Sequence, residues 1–431
     1  MEQGSPLSAH SSSVDDGVRT WSGGLPTWRR GTAGPAFSVG AMVATLVAGS
    51  LGTSVVTASF IAAAAGPIPA VLLMLVVAAL SRMSAGVLVR GGKRTHADVY
   101  AQIVEEEFGG AAATIAELLT LFCLFCAAAS HIFTLVEFLS RIQVGGLVLM
   151  AETSRVTRTA LVVVAMFPLT LIANVSWFGL SSIVVCVCCF IALCAMVARM
   201  CVSFWLGQLR FNVENLLAVH PAGIFLALPL VSFNFAYHFI LTDVLCQLNR
   251  PSMIRISTAL SLTTVTLLAL YIPSALTGFV LFGGDNVPAS VLDWPQNHTD
   301  TLAMTLWPTV LLWIASYPLL TVPLRRSIER LYFSVETEAI SLRRVTAAVV
   351  LSVFAFVMVL VQTDLTLINA VSSGSMALLV YFFPGLLSLR ASVDTRKAKY
   401  DLESRRSVYI GLTATLMGVI VCFLGILQSI P

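Results

Sequence analysis

Apolar residues along this chain gather in eleven runs, at about 37–65, 67–88, 111–140, 156–174, 177–198, 221–245, 256–282, 302–323, 344–362, 365–386 and 407–429, and most of the charge falls between them. A helix needs about 20 predominantly apolar residues to cross a bilayer. The pattern therefore predicts an all-α polytopic membrane protein with eleven transmembrane helices. Residues 1–36, with SSSVDDG and SGGLP, are polar and rich in Ser and Gly, and a disordered cytoplasmic tail is expected there. The first run is too long for the h-region of a signal peptide, and Ala62–Gly66 leads it directly into the second.

Composition agrees: 57% of the 431 residues are apolar and 11% charged, which excludes a soluble enzyme with a simple anchor and makes the lipid bilayer the main partner. The net charge of +3 gives no reason to expect nucleic acid. Placement of the charge is more telling. With the N-terminus inside, 20 of the 25 Lys and Arg fall on the cytoplasmic side and 5 on the other, as cytoplasmic loops require. The loop 283–301 is predicted outside. It holds three Asp, no Lys or Arg, and the glycosylation acceptor Asn297-His298-Thr299. A second acceptor, Asn174-Val175-Ser176, falls in a cytoplasmic turn and is expected to stay unmodified. All nine Cys lie in or beside the runs; Cys186, Cys188 and Cys189 splay around one helix, so neither a disulfide nor a metal site is expected.

Two runs carry polar and glycine interruptions at mid-membrane depth, which lipid tolerates only where protein or a hydrated cavity surrounds the backbone. In the first span the interruption is Ala48-Gly49-Ser50-Leu51-Gly52-Thr53-Ser54, and in the sixth it is Ser232-Phe233-Asn234-Phe235-Ala236-Tyr237-His238. Spans 1 and 6 of eleven are the first members of two five-helix halves. Broken helices at corresponding positions of two inverted halves form the substrate and ion sites of secondary transporters. The plainer alternative is a tight crossing at Gly49 and Gly52 with Asn234 and His238 bonding between helices.

Further pieces extend this picture: Glu107-Phe108-Gly109 before span 3, Pro168-Leu169 and Trp177-Phe178-Gly179 around the turn to span 5, Gln247-Leu248 with Pro251-Ser252, Tyr317-Pro318, and Val322-Pro323-Leu324-Arg325-Arg326-Ser327-Ile328. In their order over about 37–430, these pieces resemble the amino acid/auxin permease family. The resemblance implies a LeuT-like fold of five plus five helices and one extra, with repeat one at 37–198, repeat two at 221–386 and the extra helix at 407–429. It also implies coupled transport of amino acids. Sodium-coupled members usually have an Asn where Ala48 stands here and a hydroxyl at the position of Ser316, which is retained. The family's Pro after the first break is Ser59 here. Loss of one oxygen ligand favours a proton, or no coupling, over sodium.

Ionisable groups at membrane depth are functional candidates by default. Glu117 and His131 share a face of span 3; Glu117 could instead snorkel or pair with a loop Arg. Asp243 lies beyond the second break, where it could receive a cationic side chain or pair with Arg250. His238 is a candidate proton-coupling group, Glu137 lies near the outer end of span 3, and Asp364 caps an outside turn. Phe233, Phe235 and Tyr237 could wall an apolar substrate or pack on span 1, and Trp307 and Trp313 are expected to be interfacial or packing residues.

The expected protein is thus an amino-acid transporter working by alternating access, with a slight preference for cationic substrates and with proton rather than sodium coupling, as the departures from the family imply. Gly49, Ser50, Leu51, Gly52 and Thr53 would hold the carboxylate, Phe233, Asn234 and Phe235 the ammonium, and Asn234, Tyr237 and Asp243 the side chain. Ala48, Ser316, His238 and Glu117 are the ion-coupling candidates. A sensor that binds an amino acid and signals with little flux is the alternative. No cofactor, metal or enzymatic site is expected. The plasma membrane and an acidic vacuole-like organelle both fit.

Overall fold

The computed structural model describes residues 37–428 apart from positions 53, 98, 142, 145–146, 149–152, 173–176, 208–215, 250, 284–286, 288–302, 333–339, 362–364 and 396–401. Thr53, Arg250, Asn297, Asp364, the 1–36 tail and the acceptor at 174–176 lie outside the described residues.

Helix occupies each of the eleven apolar runs, and the first and sixth are each split in two. Span 1 comprises α1 (Val39–Leu51) and α2 (Ser54–Ala65), and span 6 comprises α8 (Pro221–Asn234) and α9 (His238–Leu245). Between them run α3 (Pro67–Thr95), the short α4 (Tyr100–Phe108), α5 (Gly110–Arg141), α6 (Arg155–Thr170) and α7 (Trp177–Trp205). After span 6 come α10 (Met253–Phe282), α11 (Ala303–Tyr332), α12 (Ile340–Val361), α13 (Leu365–Ala377), α14 (Phe383–Thr395) and α15 (Leu402–Leu427). A π-helical turn, Leu378–Phe382, joins α13 to α14, and a two-stranded hairpin, β1 (Gln143–Val144) with β2 (Leu147–Val148), follows α5. Among the described residues, eight helical segments are long and apolar enough to cross a membrane, and α1 is a shorter apolar helix.

Local signals explain the boundaries. Ser38 caps α1 by accepting from the Ala41 N–H at 3.1 Å. Pro67 opens α3 where its missing N–H costs nothing. The preceding Gly66 is obligatory: its φ is +93°, and a Cβ there would lie 2.0 Å from the Ala218 carbonyl oxygen. Gly109, also at positive φ, ends α4 and turns the chain into α5.

The broken spans lie side by side and antiparallel. At one end the Phe37 N–H donates to the Gln247 carbonyl at 2.7 Å and the Asn249 N–H donates to Phe37 at 2.9 Å; at the other, the His220 N–H reaches the Ala65 carbonyl at 3.2 Å. The segment containing α5 has 78% of its most apolar window buried, and that containing α8 and α9 has 67%. The corresponding figure for α15 is 28% and for α12 33%, so these two form the rim that lipid would face. The core sits where spans 1, 3, 6, 8 and 10 meet.

Candidate substrate site

A helix leaves its last carbonyls and first N–H groups without partners, so a break within a span sets both kinds free at mid-depth. In span 1 the helix persists through Leu51 and opens at Gly52. This narrows the expected site: Ala48, Gly49, Ser50 and Leu51 remain helical, and Ala48 and Leu51 are fully buried. Two carbonyls at the break are taken by other spans. The Tyr271 hydroxyl donates to the Ser50 carbonyl at 2.6 Å, and Trp313 Nε1 donates to the Gly52 carbonyl at 3.3 Å. The freed N–H groups belong instead to the first turn of α2, from Ser54 onward. A carboxylate is better met there than at Gly49–Leu51, because N–H groups and the positive end of the helix dipole face it.

In span 6 the helix runs through Asn234 and opens at Phe235–Tyr237, within the expected interruption Ser232–His238. Ser81 of α3 donates to the Phe235 carbonyl at 2.6 Å. Phe235 is buried edge-to-face on Tyr271 at 5.6 Å, so it packs on span 7, while Tyr237 stacks on His238 at 5.2 Å. His238 opens α9, with Nε2 2.8 Å from Ser84 Oγ.

Four buried polar atoms around the breaks make no hydrogen bond: Ser54 Oγ, Asn234 Nδ2, Tyr237 OH and His238 Nδ1. Ser54 lies beside Tyr271, and Tyr237 beside Ser81 and Thr264. Buried polar atoms normally find partners. Their presence where two helices are broken makes this the candidate site.

Two of the ion-coupling candidates, Ala48 and Ser316, lie near the break in span 1. His131 lies against Gly52, so that a Cβ on Gly52 would sit 2.8 Å from its Cε1. Its Nδ1 is 2.9 Å from the Ala127 carbonyl, which can only accept, so Nδ1 carries the proton; Nε2, 3.1 Å from Ser316 Oγ, then accepts from that hydroxyl in the neutral ring. Ser316 is thus joined to a side chain of span 3, and Ala48 supplies no side-chain oxygen.

Glu117 of span 3 and His238 and Asp243 of span 6 line one cavity with Tyr100 and Arg326, which leaves about 30 Å³ for water centres, room for about two waters. Asp243 is no open carboxylate: Oδ1 accepts from Arg326 Nη1 at 2.8 Å, pairing span 6 with the end of span 8. Tyr100, on α4 outside the spans, donates to the Leu379 carbonyl of the π-turn at 2.7 Å. Burial holds its phenol well above the usual tyrosine range, so it remains a donor.

Ser81, Tyr271 and Trp313 complete the site and were not singled out as functional by sequence; each caps a carbonyl more than 150 positions away, and no local pattern announces such a bond. Trp313, expected to be interfacial or packing, is fully buried in the bundle.

Paired broken helices inside a helical bundle define a LeuT-like transporter fold, and solved structures agree. The chain matches the manganese transporter of Eremococcus coleocola with a TM-score of 0.54 at 13% identity, over 90% of this chain and 85% of that one. It matches a Na+-coupled sialic acid symporter, in its substrate-bound outward-open state, with a TM-score of 0.53 at 11% identity, over 93% of each chain. The sequence places the chain within a family: residues 36–431 match the transmembrane amino acid transporter protein family, and the protein belongs to it. A relative, amino acid transporter AVT6D of Arabidopsis thaliana, is 22% identical over 320 residues, covering 66% of this chain and 70% of that protein.

Proposed function

We propose that the protein is a secondary transporter that moves an amino acid by alternating access, driven by protons. The observation that carries this is the set of unpartnered buried polar atoms, Ser54 Oγ, Asn234 Nδ2, Tyr237 OH and His238 Nδ1, around two broken helices in a chain of the amino acid transporter family. The α-carboxylate would be held at the start of α2 and the ammonium near the end of α8, where the helix dipoles favour each charge. The Asn234 amide and Tyr237 hydroxyl would contact the substrate.

Two features refine the expectation. The Asp243–Arg326 pair already neutralises the carboxylate that motivated a cationic preference, so substrates without a cationic side chain are favoured. Ala48, which supplies no side-chain oxygen where sodium-coupled members of the family have an Asn, favours protons over sodium.

The test is uptake of a panel of labelled amino acids into liposomes containing the purified protein, with sodium and pH gradients imposed separately. Accumulation of neutral amino acids driven by external acid and indifferent to sodium is the expected result. Strict sodium dependence would refute the coupling, and binding without flux would favour a sensor.

A further inference from the structure

Span 10 departs from regular winding in the π-turn Leu378–Phe382, and such turns gather at functional sites. The turn is held from two sides. The Tyr100 hydroxyl donates to its Leu379 carbonyl at 2.7 Å, and Gly418 of α15 packs so closely that a Cβ there would lie 2.7 Å from the Phe382 nitrogen. Between these contacts the turn carries Tyr381, which is fully buried. Its hydroxyl makes no hydrogen bond among the described residues.

Tyr381 lies beside Ser232 and Tyr237, and Tyr237 beside Ser81 and Thr264, so the phenol of span 10 meets the break in span 6. Each of the three aliphatic hydroxyls has given its proton to a carbonyl: Ser232 to Leu228 at 2.8 Å, Ser81 to Phe235 at 2.6 Å and Thr264 to Leu260 at 2.9 Å. A hydroxyl whose proton is engaged can only accept. The two phenols bring one proton each, and both are buried without a partner, so acceptor positions outnumber protons around them. Bare acceptors in a buried place cost free energy. A ligand that brings N–H or O–H relieves that cost. A full positive charge fits less well, because these five side chains include no anion, Arg82 lies within electrostatic reach of Tyr237, and a buried cation without a counter-charge is expensive.

We infer that Tyr381 is a specificity-determining residue. With Tyr237 it forms the side-chain pocket of the candidate site and selects neutral amino acids whose side chains carry a hydrogen-bond donor, a hydroxyl or an amide, over apolar ones of the same shape. An apolar side chain leaves the phenols unpartnered, and a site that hydrogen-bonds its substrate rejects the analogue lacking the group far more strongly than an apolar pocket rejects an added hydroxyl. The inference rests on the transport reading above and deepens it by naming the substrate class.

The experiment compares exchange of labelled threonine and labelled valine, which have the same shape, in liposomes containing the full chain. Threonine should be exchanged at least about 100-fold more efficiently. Tyr381→Phe should cut that preference about tenfold, the effect of one hydrogen bond, by slowing threonine while valine stays as it was; Tyr237→Phe should do the same and serves if the first variant fails to fold. A merely structural role would lower both amino acids alike. Tyr381→Phe should also unfold no earlier than the wild type, since it removes a hydroxyl without a partner. Equal or greater efficiency for valine, no exchange of threonine by a protein that exchanges other amino acids, or a wild-type preference retained in both variants overturns the inference and leaves the transport reading standing. An earlier unfolding midpoint in Tyr381→Phe would show that the hydroxyl is already bonded, and overturns it too. If no amino acid of a full panel is exchanged, the transport reading itself fails, and this inference with it.

Discussion

Trp313 and Tyr271 reach across the bundle to carbonyls at the end of α1, next to the break in span 1. Replacing either by Phe leaves a buried carbonyl acceptor without its donor, which costs about 1–3 kcal/mol. Trp313→Phe and Tyr271→Phe should therefore lower the midpoint of thermal unfolding in detergent, and an unchanged midpoint in both would mean the caps contribute nothing. Gly52 is the more sensitive position. A methyl there would lie 2.8 Å from a buried imidazole already fixed by Ala127 and Ser316, so Gly52→Ala must displace His131. At this scale only half the site was legible in the sequence. Gly52, Asn234 and Tyr237 stand out because they are glycine or polar residues within apolar runs. Tyr271 and Trp313 sit in apolar surroundings typical of any span, and only the folded chain brings them to the break.

The elements were more legible than the residues. Apolar runs are local properties of the chain, and the interruptions in spans 1 and 6 mark real helix ends; their limits moved because capping bonds from other helices decide where the last turn closes. The end of α6 shows the same control from a distance. Arg325, buried in α11, donates from Nη1 to the carbonyls of Thr170 at 2.8 Å and Ile172 at 3.0 Å, satisfying orphan carbonyls where that helix stops. Arg325→Met should destabilise the protein by about 3 kcal/mol, since hydrogen bonds from a charged donor are lost; a shift within error in denaturation would remove this role. The neighbouring Arg326 joins α11 to α9 through Asp243. Because both side chains are partly exposed, a double-mutant cycle with Asp243→Asn and Arg326→Gln should give a coupling of no more than about 1 kcal/mol in stability.

For the whole molecule, the asymmetry of Lys and Arg predicts the orientation. Expressed in a glycosylating cell, the protein should carry a glycan removed by Asn297→Gln and retained in Asn174→Gln; the reverse would invert the topology. If the paired breaks of spans 1 and 6 are the route of an amino acid, closing one of them must stop transport. This is tested most directly by comparing exchange of labelled amino acids in liposomes containing wild type or Gly52→Val, with folding of both checked by their elution and thermal unfolding. Exchange by the wild type and loss of at least most of it in a folded Gly52→Val are expected. Exchange unaffected by Gly52→Val, or no amino acid exchanged by the wild type, would contradict this route.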